Sequence, residues 1–187
     1  MREPQALYAD VLGSAWPELA EPVRAIHAAG RTVRAGGRLR IAHGRNRAAR
    51  WLARLLRLPR ASERADTRLI VTRYAGGEQW HRTFDGRRID TCQYRAGGGA
   101  LCERFGLLEF RFQLAASQGS LVMRQTDAAL HWGAVRLRLP DVCAPRIDAR
   151  EDPAGARRIQ IHVRVTVPLI GPVLTYDGPI DIEETAA

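Results

Sequence analysis

The chain has 187 residues with 29 basic and 20 acidic side chains, a formal net charge of +9 and a pI near 10.8. That length can bury a core without disulfide or metal staples, and no apolar run reaches the roughly 18 residues that a membrane-spanning helix needs. Every basic residue is arginine, because lysine is absent. The basic balance raises nucleic acid as a partner, but the arginines are scattered along the whole chain, mostly as polar members of alternating runs. A solvated outer face is the expectation, together with the codon bias of a GC-rich bacterial genome. One domain over 1–187 is expected, helix-rich with one strand over 1–60 and an antiparallel β meander over 61–187.

Leu7, Tyr8, Val11 and Leu12 form i,i+4 pairs in a short amphipathic helix over 5–12 that ends at Gly13. Met1 to Ala9 lacks the apolar stretch of a secretory leader, so cytoplasm is the expected address. Pro22 opens a second helix through Val23, Ile26 and His27, with Gly30 as its stop. From Thr32 to His43 the apolar residues alternate, giving a first strand that Gly36 and Gly37 should bend or bulge. Residues 46–58 return to helical spacing, capped by Asn46 and ended by Pro59. There Arg47, Arg50, Arg54 and Arg57 share one face and Trp51, Leu52, Leu55 and Leu56 the other. This helix reads as a lid on a sheet, with peripheral membrane contact through Arg47, Arg50, Trp51, Arg54 and Arg57 as its functional alternative.

After a polar link at 61–65, only strand signals follow. Runs at 68–74 and 79–84 flank Gly76 and Gly77, Asp85-Gly86 is a two-residue hairpin signal, and 87–95 leads to a Gly97-Gly98-Gly99 turn. The central unit is a hairpin over 105–124. Leu108, Phe110, Phe112 and Leu114 alternate with Glu109, Arg111 and Gln113, and Met123 resumes the pattern after the reversal at 117–119. Residues 135–139 form a further alternating run. A turn at 152–155 separates 147–151 from the strand 158–167, and a bend at 168–172 opens the last strand, 173–182. The expected fold is α+β: N-terminal helices packed on a strongly curved, mostly antiparallel β-sheet or β-barrel, with a two-sheet sandwich as runner-up.

No catalytic or cofactor motif is recognisable, and no cofactor is expected. His27, His43, His81, His131 and His162 never fall at metal-ligand spacing, and the three cysteines lack a C-x-x-C pair, so no metal is expected and the thiols are read as reduced. His162 is expected on an outer face and His27 at a helix end, capping carbonyls. Glu103 and Glu109 are candidate paired carboxylates for acid–base work. Arg146, Asp148, Arg150 and Glu151 form a charge cluster; pairing of Arg146, Asp148 and Arg150 along a strand suits it better than its functional alternative, an anion or acid–base site near a cavity rim.

The pieces Val23 to His27, Glu103-Arg104-Phe105-Gly106, Pro145 to Glu151 and Pro168-Leu169-Ile170-Gly171-Pro172 with Tyr176-Asp177-Gly178 carry a family pattern. They resemble a bacterial domain family of unknown function that stands alone or follows saccharopine-dehydrogenase-like NAD(P)-binding proteins. The resemblance implies functional association with an NAD(P)-binding reductase and says nothing about chemistry, because no activity comes with the family. The chain's glycine cluster lacks the G-x-G-x-x-G spacing of a dinucleotide-binding turn.

The functional expectation is an apolar small molecule or acyl chain, held on the concave face of the sheet. Phe110, Phe112, Met123, Trp132 and Tyr176 are its expected apolar contacts, beside Leu114, Ile161, Val163 and Leu174, with Glu109 and Arg146 as polar groups at the rim. The alternatives are a cyclase- or isomerase-type enzyme in the same cavity, for which Glu103, Glu109, Arg146 and Tyr176 are the first residues to test, and a basic nucleic-acid-binding or membrane-surface module. Specific nucleic-acid binding is not expected, because Phe84, Phe110 and Phe112 lie on apolar faces rather than among the arginines.

Overall fold

The computed structural model describes residues 6–28, 32–133 and 135–183. The change from helical to two-residue periodicity appears as a barrel. Its strands are β1 (Thr32–His43), β2 (Ser62–Tyr74), β3 (Gly77–Phe84), β4 (Arg87–Arg95), β5 (Leu101–Phe105), β6 (Leu108–Ser117), β7 (Ser120–Trp132), β8 (Val135–Arg138), β9 (Arg146–Gly155), β10 (Arg158–Val167) and β11 (Gly171–Ile182). Each pairs antiparallel with its neighbours in the order β1-β2-β3-β4-β5-β6-β7-β9-β10-β11, and β11 returns to β1 through Ala35↔Ile182 to His43↔Leu174. Closure gives each of these strands a partner on both sides, which a two-sheet sandwich would not. β8 stands outside the ring and pairs with the far end of β7, Trp132 opposite Val135.

In an antiparallel ring the turns alternate between two ends. The β2–β3, β4–β5, β6–β7 and β9–β10 turns lie at one end, together with the N-terminal helices α1 (Leu7–Leu12) and α2 (Glu21–His27) and a 3-10 turn between them. Leu7, Tyr8, Leu19, Val23, Ile26 and His27 are buried there and plug the barrel. The opposite end holds the β3–β4, β5–β6 and β10–β11 turns, the β7–β8 hairpin and α3 (Arg47–Leu55), which follows β1. Asp85 and Gly86, at φ 46° and 79°, form the tight reversal expected from their sequence, and Gln118 and Gly119, at 53° and 83°, form another.

Several local expectations are corrected. From Ser62 onward the polar link 61–65 is the start of β2, because its backbone groups pair with β1 as far as Ile41↔Ser62. The turn expected at 152–155 moves to 156–157. Pro153 sits in the strand beyond the last β7 pairing, Leu121↔Glu151, where its missing N–H deprives β7 of nothing. The irregularity expected at Gly36 and Gly37 falls instead between Leu39 and Ile41. Gly37 serves close approach: a Cβ there would lie 2.2 Å from the Pro179 carbonyl oxygen. Gly30, the expected stop of the second helix, lies outside the described residues.

The helix expected over 46–58 spans Arg47–Leu55. Asn46 caps it as expected, accepting from the Ala49 N–H at 2.7 Å. It docks through Ala49 and Ala53 on Val167 and Val173, so its narrow, small-residue stripe is what packs. Trp51 and Leu55, expected on the covered face, point into solvent.

Candidate functional site: the barrel cavity

Inside the barrel the two ends differ. Near the plug Leu39, Val71, Leu101, Phe112, Leu121, Ile159 and Ile180 are fully buried. Towards the α3 end, inward-facing Ile147, Ala149, Ile161, Val163 and Val165 are only half-buried, as are Ile89, Phe105 and Leu108 across from them. These side chains line a hollow that runs from Tyr8 and Gln93 in the depth to Leu52, Leu56, Leu58 and Pro59 beneath α3. The hollow has a volume of about 190 Å³. A single water needs on the order of 10–15 Å³, so this space is far from a packing defect.

The wall is apolar except for one cluster in its inner half. Arg82 of β3 donates through Nη1 to the Thr91 hydroxyl at 2.8 Å and to Glu103 Oε1 at 3.1 Å, and its guanidinium carbon lies 4.9 Å from the centre of the Trp80 ring. Burial works to lower the Arg82 pKa, but Glu103, Tyr176 and Tyr8 carry it upward, so the guanidinium is held charged. Tyr8 donates to Gln93 Oε1 at 2.8 Å. Burial raises the Tyr8 and Tyr176 hydroxyls above the ordinary phenol value, keeping both neutral.

Behind this cluster, His27 at the end of α2 is fully buried, stacked on Tyr8 at 3.7 Å between ring centres, with Nε2 2.8 Å from Glu151 Oε2. This overturns the surface capping role expected for His27. Beside it Glu78 accepts from Trp80 Nε1 at 3.0 Å and from Arg73 Nε at 3.1 Å, which satisfies a fully buried carboxylate.

Phe110, Phe112, Met123 and Tyr176 line the cavity as expected, as do Ile161, Val163 and Leu174. Leu114 is partly buried outside the lining. Trp132 shares the inward face with Leu130 and Ala128 but projects past the rim, 80% exposed, because β7 outruns its neighbours there. Glu109 and Arg146 are on the wrong faces for the expected rim contacts. Glu109 points outward from β6, where it accepts from the Tyr94 hydroxyl and from Arg136 Nε at 2.8 Å and lies 2.8 Å from His131 Nε2. Arg146 is exposed, one position out of step with inward Ile147. Glu103 and Glu109, considered as a carboxylate pair, lie on opposite sides of the wall.

Other outward arginines meet carboxylates: Arg88 with Asp90, Arg138 with Asp127, Arg150 with Asp152 and Arg158 with Asp181. Cys92, Cys102 and Cys143 are free thiols. No helix among the described residues is long and apolar enough to cross a membrane.

Arg82, Thr91 and Gln93 are absent from the residues expected in the cavity; Glu103 is expected there only in the enzyme alternative and as half of a carboxylate pair, and Glu151 only within the charge cluster, although each sits at an apolar-parity position. Arg82 lies between Trp80 and Phe84, Glu103 between Leu101 and Phe105, and Glu151 continues Ile147 and Ala149. A polar residue in step with the apolar ones is the signal that marks them.

The site can therefore enclose an apolar body and offer donors and acceptors at its inner end. No curated protein and no solved structure matches the chain. Residues 19–180 match the model of a domain of unknown function, DUF4166, and the chain belongs to that family.

Proposed function

We propose that the protein binds an apolar small molecule or acyl chain inside its barrel, with a neutral polar group of the ligand at Arg82, Thr91 and Glu103. The observation that carries this reading is the inward wall of β9 and β10: Ile147, Ala149, Ile161, Val163 and Val165 face the barrel axis yet remain half-buried, beside a hollow too large for a packing fault. The charge inventory argues for a neutral head. Arg82 is already matched by Glu103, and Glu151 adds a second carboxylate, so a ligand carboxylate would meet more repulsion than attraction. A ketone or ester finds a guanidinium donor, and a hydroxyl finds carboxylate acceptors as well.

Native mass spectrometry with a panel of fatty alcohols, methyl ketones, polyketide-like compounds and fatty acids tests this. Uptake of a neutral long-chain compound in preference to the matching acid is expected. A protein that carries nothing from its host and takes up nothing from the panel sinks the reading.

A cyclase or isomerase in the same cavity is the second reading. It is favoured by Glu151, a carboxylate on the cavity wall that is hydrogen-bonded to the buried imidazole of His27 behind it. It predicts a bound compound recovered with unchanged mass and altered connectivity. The bacterial family resemblance supports a setting in which the cavity holds a substrate or product of a neighbouring NAD(P)-dependent reductase.

A further inference from the structure

Exposed apolar surface is unevenly distributed over this barrel. Apart from Ile70 and Tyr74, every large apolar side chain left exposed among the described residues belongs to the α3 end. The segments that supply them are far apart in sequence. Trp51 and Leu55 come from α3, 64% and 59% exposed; Leu107 comes from the β5–β6 turn; Leu169, 92% exposed, comes from the β10–β11 turn. The β7–β8 hairpin adds Trp132, Val135 and Leu137. Because directly opposed residues share a face of a sheet, the pairs Trp132↔Val135 and Leu130↔Leu137 put these three side chains on the surface that continues the inner wall of the cavity. Scattered exposed apolar residues need no explanation, but their gathering at the α3 end of an apolar hollow does.

Arginine surrounds them. Arg45, Arg47, Arg50, Arg54, Arg57 and Arg60 are exposed on and beside α3. No carboxylate among the described residues lies within ion-pair distance of any of them, unlike the matched arginines of the barrel wall. The exposed carboxylates near this end, Glu63, Asp66, Asp85 and Asp141, are fewer. A second copy of the chain is a poor occupant, since a two-fold contact through this end would set the α3 arginines against their own copies. A nucleic acid would use the arginines and tryptophans, but Leu55, Leu107, Val135, Leu137 and Leu169 offer no π-face for stacking and would stay against phosphate or water.

We propose that the α3 end of the barrel is a docking surface for an anionic lipid bilayer. Trp51, Leu55, Trp132 and Leu169 enter the interface while the arginines reach the headgroups, and the cavity mouth opens onto the acyl region. This joins an entrance to the ligand reading but is tested separately, because the residues substituted lie on the rim and not in the inner half of the cavity.

The experiment uses the whole protein with vesicles of phosphatidylcholine alone and with added phosphatidylglycerol, some carrying brominated acyl chains. Sedimentation with the anionic vesicles is expected, together with quenching of tryptophan fluorescence by the brominated chains. Two variants, Trp51→Ala/Trp132→Ala and Arg50→Glu/Arg54→Glu, are checked for unchanged melting. At about 1 kcal/mol per arginine near an anionic surface, roughly fivefold each, the arginine variant should lose at least about tenfold in vesicle affinity. The tryptophan variant should lose the quenching and most of the binding. Failure to sediment with any vesicle overturns the proposal. So does sedimentation in which the wild-type tryptophans stay unquenched, the sign of a charge contact made by a generally basic protein. Tighter binding to single-stranded nucleic acid than to anionic vesicles would assign the surface to that partner instead.

Discussion

Between Glu151 and His27, one partner reaches cavity space while the other is sealed in the plug. Glu151 lines the hollow, whereas His27 is fully buried and its Nδ1 has no bonding partner among the described residues. Removing either member should therefore have unequal effects. Glu151→Leu leaves an imidazole with both nitrogens unbonded in a dry setting, about 1–3 kcal/mol of lost stability. His27→Leu leaves a carboxylate that cavity water can reach, and it should be milder. The double variant should recover part of the larger loss, since no polar group is then stranded. Urea melts of the three variants measure this, and strictly additive losses would contradict the pairing.

On the outer wall Glu109 and Asp127 share Arg136, with Arg138 also on Asp127. Burial pushes both carboxyls up, but the Tyr94 and Arg136 hydrogen bonds with the charge of His131 hold Glu109 below its ordinary value, and Arg136 and Arg138 do the same for Asp127. A carboxyl whose folded pKa is depressed adds stability above its unfolded value, about 4.3 for Glu and 3.9 for Asp. That stability is lost as pH falls through the lower folded values. The unfolding free energy should decline below about pH 4, and Glu109→Gln/Asp127→Asn should flatten that decline while lowering stability near neutrality. An acid slope identical to that of the wild type would mean that these groups are unpaired in solution.

The scale of elements is where the sequence is most readable, and the reason is periodicity. In β10, Ile159, Ile161, Val163, Val165 and Val167 alternate with polar residues, and that alternation alone identifies both the strand and its inner face. The packed face of α3 is less readable, because a helical face chosen for Trp51, Leu52, Leu55 and Leu56 takes large side chains for the buried ones. The contact on Val167 and Val173 selects Ala49 and Ala53, small enough to let the helix approach the sheet. Strand parity places Glu109 and Arg146 outside the barrel rather than at its rim, and the same parity places Arg82 inside; residue type alone suggests the reverse.

Strand packing also sets which glycines matter. Gly37 sits where Pro179 crosses, whereas a methyl group on Gly97 would meet nothing within 4 Å, and Gly97 has no positive φ. Gly37→Ala should cost about 1–3 kcal/mol through overpacking at the β1–β11 seam, whereas Gly97→Ala should leave the melting temperature nearly unchanged. Equal melting of both variants would mean that the seam is looser than its register implies.

For the whole molecule, a barrel of ten strands encloses more width than inward side chains of this size fill. The N-terminal helices plug one end, and the remaining hollow is left beneath α3. A filled core and a functional hollow make opposite predictions for an added side chain. Ala149 is the smallest inward residue on β9, flanked by Met123 on β7 and Val163 on β10. In a close-packed interior, Ala149→Phe would force strain of about 1–3 kcal/mol. Here the ring enters open space against the Val163 and Tyr176 side of the cavity and buries apolar surface, so stability should hold or rise. The same ring occupies the volume a ligand body would take, and long-chain uptake by native mass spectrometry should fall sharply. A bound ligand also stabilises the wild type by mass action, about 2.7 kcal/mol at a hundredfold excess over Kd. The ligand-induced rise in melting temperature should therefore vanish in Ala149→Phe, while the unliganded protein melts no lower than the wild type. A variant that is destabilised and still takes up ligand would place the binding volume elsewhere in the molecule.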